Sequence, residues 1–513
     1  MVLTGRCTCQ QCDSGLHTAA AQGKRPMLSV TRRRVVQAAA APALLGAAQR
    51  KAPDNRITEE NRRPGTVEWQ LKHYRFDPLT DLRSPQLEGY VSEVSVYPGE
   101  TIEFLVSADP ARKFTIDLYR TGCYGGTGGR HMLRLGPFAG EPQPLPLMGM
   151  ERVRECAWKP AARLTIPADW PSGVYLGRLS LVEDPIESYV IFIVKEKRAC
   201  DVLFQCSDLT WQAYNKWPGR DSLYDDGTPR PTNGYYYTGP KVRVSFDRPY
   251  TQYGQVHQVA LSLGSGEYLL WEFPLAFWLE QQGYDVTYCS NLDVHRDPAV
   301  LERTKVFLSV GHDEYWTRQM YDNVMAARER GVSLGFLSGN AICGEIILYD
   351  STVTGKPYRT MARLKFFRDE PLLMGLRTFG PGYGDWVIRK ADHWIFEGTG
   401  ARNGDYIPGL VGWEYHGIPA DLPGLEVVAA APLAPFSRHS PDDGNFAAVV
   451  FPRPKGNWVF NAGTIWWSEG LSNPPGHAPA ASRLGRTFGV DTKVQKITAN
   501  FLNRCLRDSP LKL

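Results

Sequence analysis

"VFLSVGHDEYWTRQM", residues 306–320, opens as an apolar run and turns polar within two residues. Val306–Val310 has the β-branched content of a buried strand. His312, Asp313 and Glu314 follow at once, and then Tyr315 and Trp316. Two readings compete. The acids could belong to the first turn of a helix, where the macrodipole favours negative charge; Asp313 fits that reading better than Glu314. The other reading is a site at the carboxyl end of a parallel strand, where open α/β sheets hold their ligands.

The flanking sequence bears on the choice. "CDVLFQC" (200–206), "YDVTYCS" (284–290) and "VSLGFLSG" (332–339) are further strand-like runs. Between them, "EYLLWEFPLAFWLEQQG" (267–283) and "YWTRQMYDNVMAARERG" (315–331) read as helices. Strands alternating with helices predict a parallel sheet covered on both faces. Three polar clusters then fall at strand ends: "SDLTWQAYN" (207–215), "GHDEYW" (311–316) and "SGNAICGE" (338–345).

Upstream the grammar differs. "YVSEVSVYPGETIEFLVS" (90–107), "KFTIDLYRTG" (113–122), "ARLTIPADWPSGVYLGRLSLV" (162–182) and "YVIFIVK" (189–195) are short strands punctuated by Pro and Gly turns. They predict an antiparallel β-sandwich over residues 85–198, followed by an α/β domain over 199–513. Residues 49–84 read as an extended entry. The general architecture of the second domain resembles the class I glutamine amidotransferase-like fold. A multidomain chain is also what 513 residues imply.

The formal charge of +4 is misleading, because residues 1–48 hold six basic residues and one Asp and leave the remainder at −1. No basic footprint for nucleic acid remains. "TRRRVVQ" (31–37) is a twin-arginine pattern ahead of the weakly apolar "AAAAPALLGAA" (38–48), so residues 1–48 read as a twin-arginine signal segment. That run is too short for a membrane span. It predicts a periplasmic or secreted protein. Export permits a disulfide, and Cys123 with Cys156 is the pair to test.

The chemistry divides by class. A thiol nucleophile at Cys206 or Cys343 needs a positioned His. A zinc hydrolase needs close His ligands, and the ten His of this chain are scattered. Hard oxygen donors are the third option: Glu314 as a carboxylate, with Tyr214 of "WQAYN" and Tyr250 of "DRPY" as phenolates. A free phenol titrates at about pH 10, so it ionises at neutral pH only beside a strong positive charge. Two phenolates and a carboxylate would neutralise a ferric ion, a Lewis acid able to polarise an amide carbonyl.

"WQAYNKW", "SLYDD", "VSFDRPY", "GYDVTY", "VGHDEYWT" and "FLSGN" occur in this order. Together they resemble the large (beta) subunit of N,N-dimethylformamidase and its relatives, over residues 85 to 505. The resemblance implies a mononuclear iron held by two tyrosines and one glutamate. That glutamate falls on Glu314, the histidine before it on His312 and an active-site asparagine on Asn340. For the tyrosines it implies Tyr214 and Tyr250, with Tyr224 and Tyr253 competing for the second place, and a further acid at Glu469 in "GTIWWSEGLS". It also implies a small partner subunit, which nothing in this chain supplies, and leaves a homo-oligomer open.

The expected function is an exported, metal-dependent hydrolase of a small amide-like C–N bond. His312, or an iron-bound water, would be its base, and Asn340 would hold the carbonyl or the oxyanion of the intermediate. The rival is an exported carbohydrate-binding or non-catalytic interaction protein, using Trp211, Trp466, Trp467 and "GYYYTG" (234–239) as stacking platforms.

Overall fold

A computed structural model describes residues 54–74, 83–228, 241–251, 262–435, 444–478 and 489–512. The signal-like segment, "GYYYTG" and Tyr253 lie outside the described residues. The chain is mostly sheet, in several sheets with few helices. No helix among the described residues is long and apolar enough to cross a membrane.

Two sheets form the N-terminal part. Leu87–Val91, Thr101–Ala108 and Ala162–Thr165 make one of three strands. Ser95–Val96, Glu187–Val194, Gly173–Leu181, Lys113–Thr121 and Gly129–Ala139 lie in that order in one of five. The strand Glu187–Val194 is buried along its whole length. Its alternation explains why: Val190, Phe192 and Val194 enter the core shared by these two sheets, while Ile191 and Ile193 enter the core of the next layer. One strand thus serves two cores.

That next layer is the alternating part of the sequence. Val286–Ser290, Cys200–Cys206, Thr304–His312, Ser333–Gly339 and Trp458–Asn461 lie side by side and parallel. Asn445–Pro452 and Glu426–Pro432 extend the sheet antiparallel. Thr304–His312 is therefore an inner strand with neighbours on both sides, as its apolar run predicts. A buried ion pair ties the layers: the Arg120 guanidinium donates to both Glu280 oxygens, at 2.8 and 3.0 Å.

Two expectations need correction. "EYLLWEFPLAFWLEQQG" is not one helix: a wide π-type turn, Tyr268–Glu272, precedes the α-helix Phe273–Gln281. Pro274 lacks the N–H that a continuous ladder requires, and it sits in the first turn of that helix. Cys123 and Cys156 are buried free thiols rather than a pair. Each packs into a different apolar cluster.

Candidate metal-binding and catalytic site

The helix after "GHDEYW" begins only at Arg318, with the Thr317 hydroxyl accepting from the Met320 amide at 3.0 Å. Tyr315–Trp316 is a short strand paired with Gly344–Glu345. Asp313 and Glu314 therefore lie outside the helix, and both are buried. The first-turn reading of these acids fails. Gly311 permits the turn: its φ is +62°, and a Cβ there would stand 2.6 Å from that of Trp271.

The three polar residues point to different tasks. Asp313 accepts from Gln205 at 2.7 Å, Ser309 at 2.8 Å and Asn291 at 3.0 Å, so it locks strand ends together. Burial nonetheless pushes its pKa up to about 6. Glu314 faces two phenols. Tyr214 donates to its Oε2 at 2.6 Å, while the Tyr224 oxygen lies 2.8 Å from that of Tyr214 and 3.3 Å from the same carboxylate oxygen. Arg363 donates to Tyr224 at 2.7 Å and stands 3.5 Å from Glu314 Oε1. The Tyr315 hydroxyl is also bonded to that of Tyr224.

His312 occupies the other flank. Its Nδ1 is 3.1 Å from Glu267, and its Nε2 is 2.8 Å from Glu414 Oε2 and 3.4 Å from Glu314 Oε2. The Nε2–Glu414 approach is close but misaligned for a hydrogen bond, and among the described residues neither atom has a hydrogen-bond partner. Burial alone would lower the His312 pKa, but Glu267 and Glu414 outweigh it and hold it well above its ordinary value. Burial raises Glu414 to about 7, against the opposing pull of His312 and Asn340, and raises Glu267 as well.

Asn340 follows the strand Ser333–Gly339 in a tight turn, with φ of +52° at Asn340 and +56° at Ile342. A β-branched residue in that region is strained, and such strain concentrates at functional sites. The preceding Gly339 has no room for a side chain: its Cβ would lie 2.4 Å from the Glu414 carbonyl oxygen. His416 accepts from the Ala341 amide at 2.9 Å and holds the turn in place.

Of the residues singled out from sequence, Tyr214, His312 and Glu314 meet, and Asn340 joins them through Glu414. Tyr250 packs edge-on against Trp211, with ring centroids 6.4 Å apart, and among the described residues no contact joins it to Glu314. Tyr224, rather than Tyr250, is the second tyrosine that lies beside Glu314 and Tyr214. Glu469 pairs instead with His477, at 2.8 Å. Trp211, Trp466 and Trp467 are buried, which removes them as stacking platforms for a sugar. Burial also drives the Cys206 thiol well above its usual pKa, the wrong direction for a nucleophile.

Sequence reasoning missed Glu267, Glu414 and Arg363. Only Glu414 carries a visible signal, an acid between aromatics in "VGWEYHG" (411–417), much like "HDEYW".

The donor set suits a metal ion. One ligand atom each from His312, Glu314 and Glu414 lies within 4.8 Å of the others. Three buried carboxylates, Glu267, Glu314 and Glu414, face one histidine and one arginine, an excess of negative charge that a cation would balance. Carboxylate, phenol and imidazole are donors for divalent or trivalent first-row ions.

A comparison with curated proteins gives no match. A family model described as N,N-dimethylformamidase beta subunit-like, C-terminal, matches residues 115–479. That span includes every residue of the Glu314 and His312 clusters, and with it the chain belongs to the N,N-dimethylformamidase beta subunit-like family.

Proposed function

We propose that the chain is an exported, metal-dependent hydrolase of a small amide-like C–N bond, holding a mononuclear iron. Family membership supports the reaction class. One observation carries the site: the Tyr214, Tyr224 and Glu314 oxygens converge at the end of an inner parallel strand, 2.6–3.3 Å apart. In this reading those three side chains hold the metal, with Tyr224 in the place expected of Tyr250, while His312 and Glu414, which lie within reach of the same ion, stand beside it for the chemistry. Bound there, iron supplies Lewis acidity toward an amide carbonyl.

The chain's own groups do the rest. The Asn340 amide donates to the carbonyl oxygen and steadies the charge that grows on it. With the Glu314 and Glu414 charges offset by a cation, the pull that keeps the His312 ring protonated is removed, and its freed Nε2 takes a proton from the attacking water. As the C–N bond breaks, it returns that proton to the leaving amine; the products are a carboxylic acid and an amine. The surrounding Trp413, whose ring lies 5.6 Å from that of His312, helps to exclude bulk water.

We read the two N-terminal sheets as a β-sandwich over 85–198 and the mixed sheet as a glutamine amidotransferase-like α/β domain over 199–513. A small partner subunit and twin-arginine export complete the proposal. Metal analysis of the purified chain, with N,N-dimethylformamide as probe substrate, tests it. Near-stoichiometric iron with metal-dependent amine release is expected; a metal-free protein that cannot be loaded with iron would refute it.

A further inference from the structure

Some buried carboxylates of this protein accept several hydrogen bonds. Glu280 accepts from Arg120 through both oxygens, from Asn61 at 2.7 Å and from Tyr288 at 2.9 Å. Asp313 accepts from three side chains. Glu267 is equally buried, and like Glu272 and Glu414 it keeps one oxygen without a partner; among the described residues its side chain's one hydrogen bond is to His312 Nδ1, at 3.1 Å. Burying a carboxylate for one contact costs free energy that packing does not return.

The backbone is shaped to deliver this group. Gly264 and Gly266 have φ of +84° and +60°, and a Cβ on Gly266 would meet the Trp211 ring at 2.9 Å. The wide turn Tyr268–Glu272 starts at the next residue. A carboxylate accepts hydrogen bonds, so Nδ1 carries a proton and Nε2 is turned toward Glu314 and Glu414. The π-type turn has the same sense, since such turns frequently mark functional sites.

We propose that Glu267 is the positioning residue of His312: it fixes the ring through Nδ1 and thereby aims Nε2 at the reacting water. This rests on the hydrolase reading above, and the test separates the two. In iron-loaded full-length protein, Glu267→Gln should lower kcat for N,N-dimethylformamide by roughly 10–100-fold, as second-layer partners of functional histidines do. KM and iron content should stay as in wild type. In a His312→Ala background the same substitution should cost nothing further, because it acts only through that ring. In metal-free, isotope-labelled protein, the downfield Nδ1–H resonance of His312 should shift or vanish in Glu267→Gln. Unchanged kcat, an undiminished loss without His312, or loss of iron alongside kcat would overturn the assignment. If wild type fails to hydrolyse the probe, the hydrolase reading falls and the proton resonance decides alone: a shift supports the positioning role, and an unmoved resonance rejects it.

Discussion

Tyr214 and Glu314, one hundred residues apart in the chain, share a buried hydrogen bond of 2.6 Å. One stands at the end of a short helix that follows the strand Cys200–Cys206, the other just past the neighbouring strand Thr304–His312. Parallel pairing brings the carboxyl ends of these strands together, so the fold itself makes the contact. A phenol and a carboxylate brought together out of water form a hard-donor pair. Tyr224 and its Arg363 partner extend that pair to three oxygens.

The tyrosine assignment can be read by colour. Two phenol donors on ferric iron should give a visible charge-transfer band. Tyr214→Phe and Tyr224→Phe should each bleach or shift it, whereas Tyr250→Phe should leave it in place. Absorption spectra of iron-loaded variants check this. A band lost only in the Tyr250 variant would return the ligand role to that residue.

Layer docking should depend on the Arg120–Glu280 pair. Arg120→Met leaves Glu280 buried without its counter-charge and should cost about 3–5 kcal/mol in denaturant unfolding. Substituting both, Arg120→Met with Glu280→Leu, should recover much of that loss. Equal stability of the single variant and wild type would show that the ion pair does not hold the layers.

The Glu469–His477 pair should leave a signature in pH. Burial alone would lower the His477 pKa, but Glu469 outweighs it and the folded-state value is raised. The pair's stabilisation is therefore fully present below the unfolded-state pKa, at about pH 6.5, and is lost as pH rises through the folded value. Thermal unfolding from pH 6 to 9 should show this decline, and Glu469→Gln should flatten it. Amide hydrolysis should change little in that variant, because Glu469 makes no contact with the Glu314 cluster among the described residues.

Export makes a separate prediction. Arg32→Lys with Arg33→Lys should hold the protein in the cytoplasm, as fractionation would show. Unchanged periplasmic recovery would contradict a twin-arginine signal.

The buried parallel strand in "VFLSVGHDEYW" was legible because such a strand is largely apolar on both faces, as Val306, Phe307, Leu308 and Val310 are. The roles expected of Tyr214, His312, Glu314 and Asn340 came with the family resemblance, but the last three were legible as a location: His312 ends such a strand, and Glu314 and Asn340 follow one closely. Glu267 was not, because it lies ahead of a helix and reaches His312 only through two left-handed glycines and a π-type turn. Arg363 was hidden in an ordinary strand, Thr360–Phe366. The Tyr250 and Tyr224 choice could not be made by spacing, since which ring meets Glu314 depends on how the following loops fold back. The helix expected from Tyr315 starts later because Tyr315–Trp316 pairs as a strand first.

Glu314→Gln, set against Asp313→Asn, tests the central claim most directly. Both acids are buried neighbours, yet Asp313 is saturated by three neutral donors and Glu314 faces phenols and His312. Asp313→Asn puts a donor among donors and should cost about 1–3 kcal/mol of stability while iron stays bound. Glu314→Gln removes the charge shared by both flanks of the site. Iron per chain, measured by elemental analysis after equal loading, should fall at least tenfold in Glu314→Gln and remain at wild-type level in Asp313→Asn. Full iron occupancy in Glu314→Gln would contradict the account.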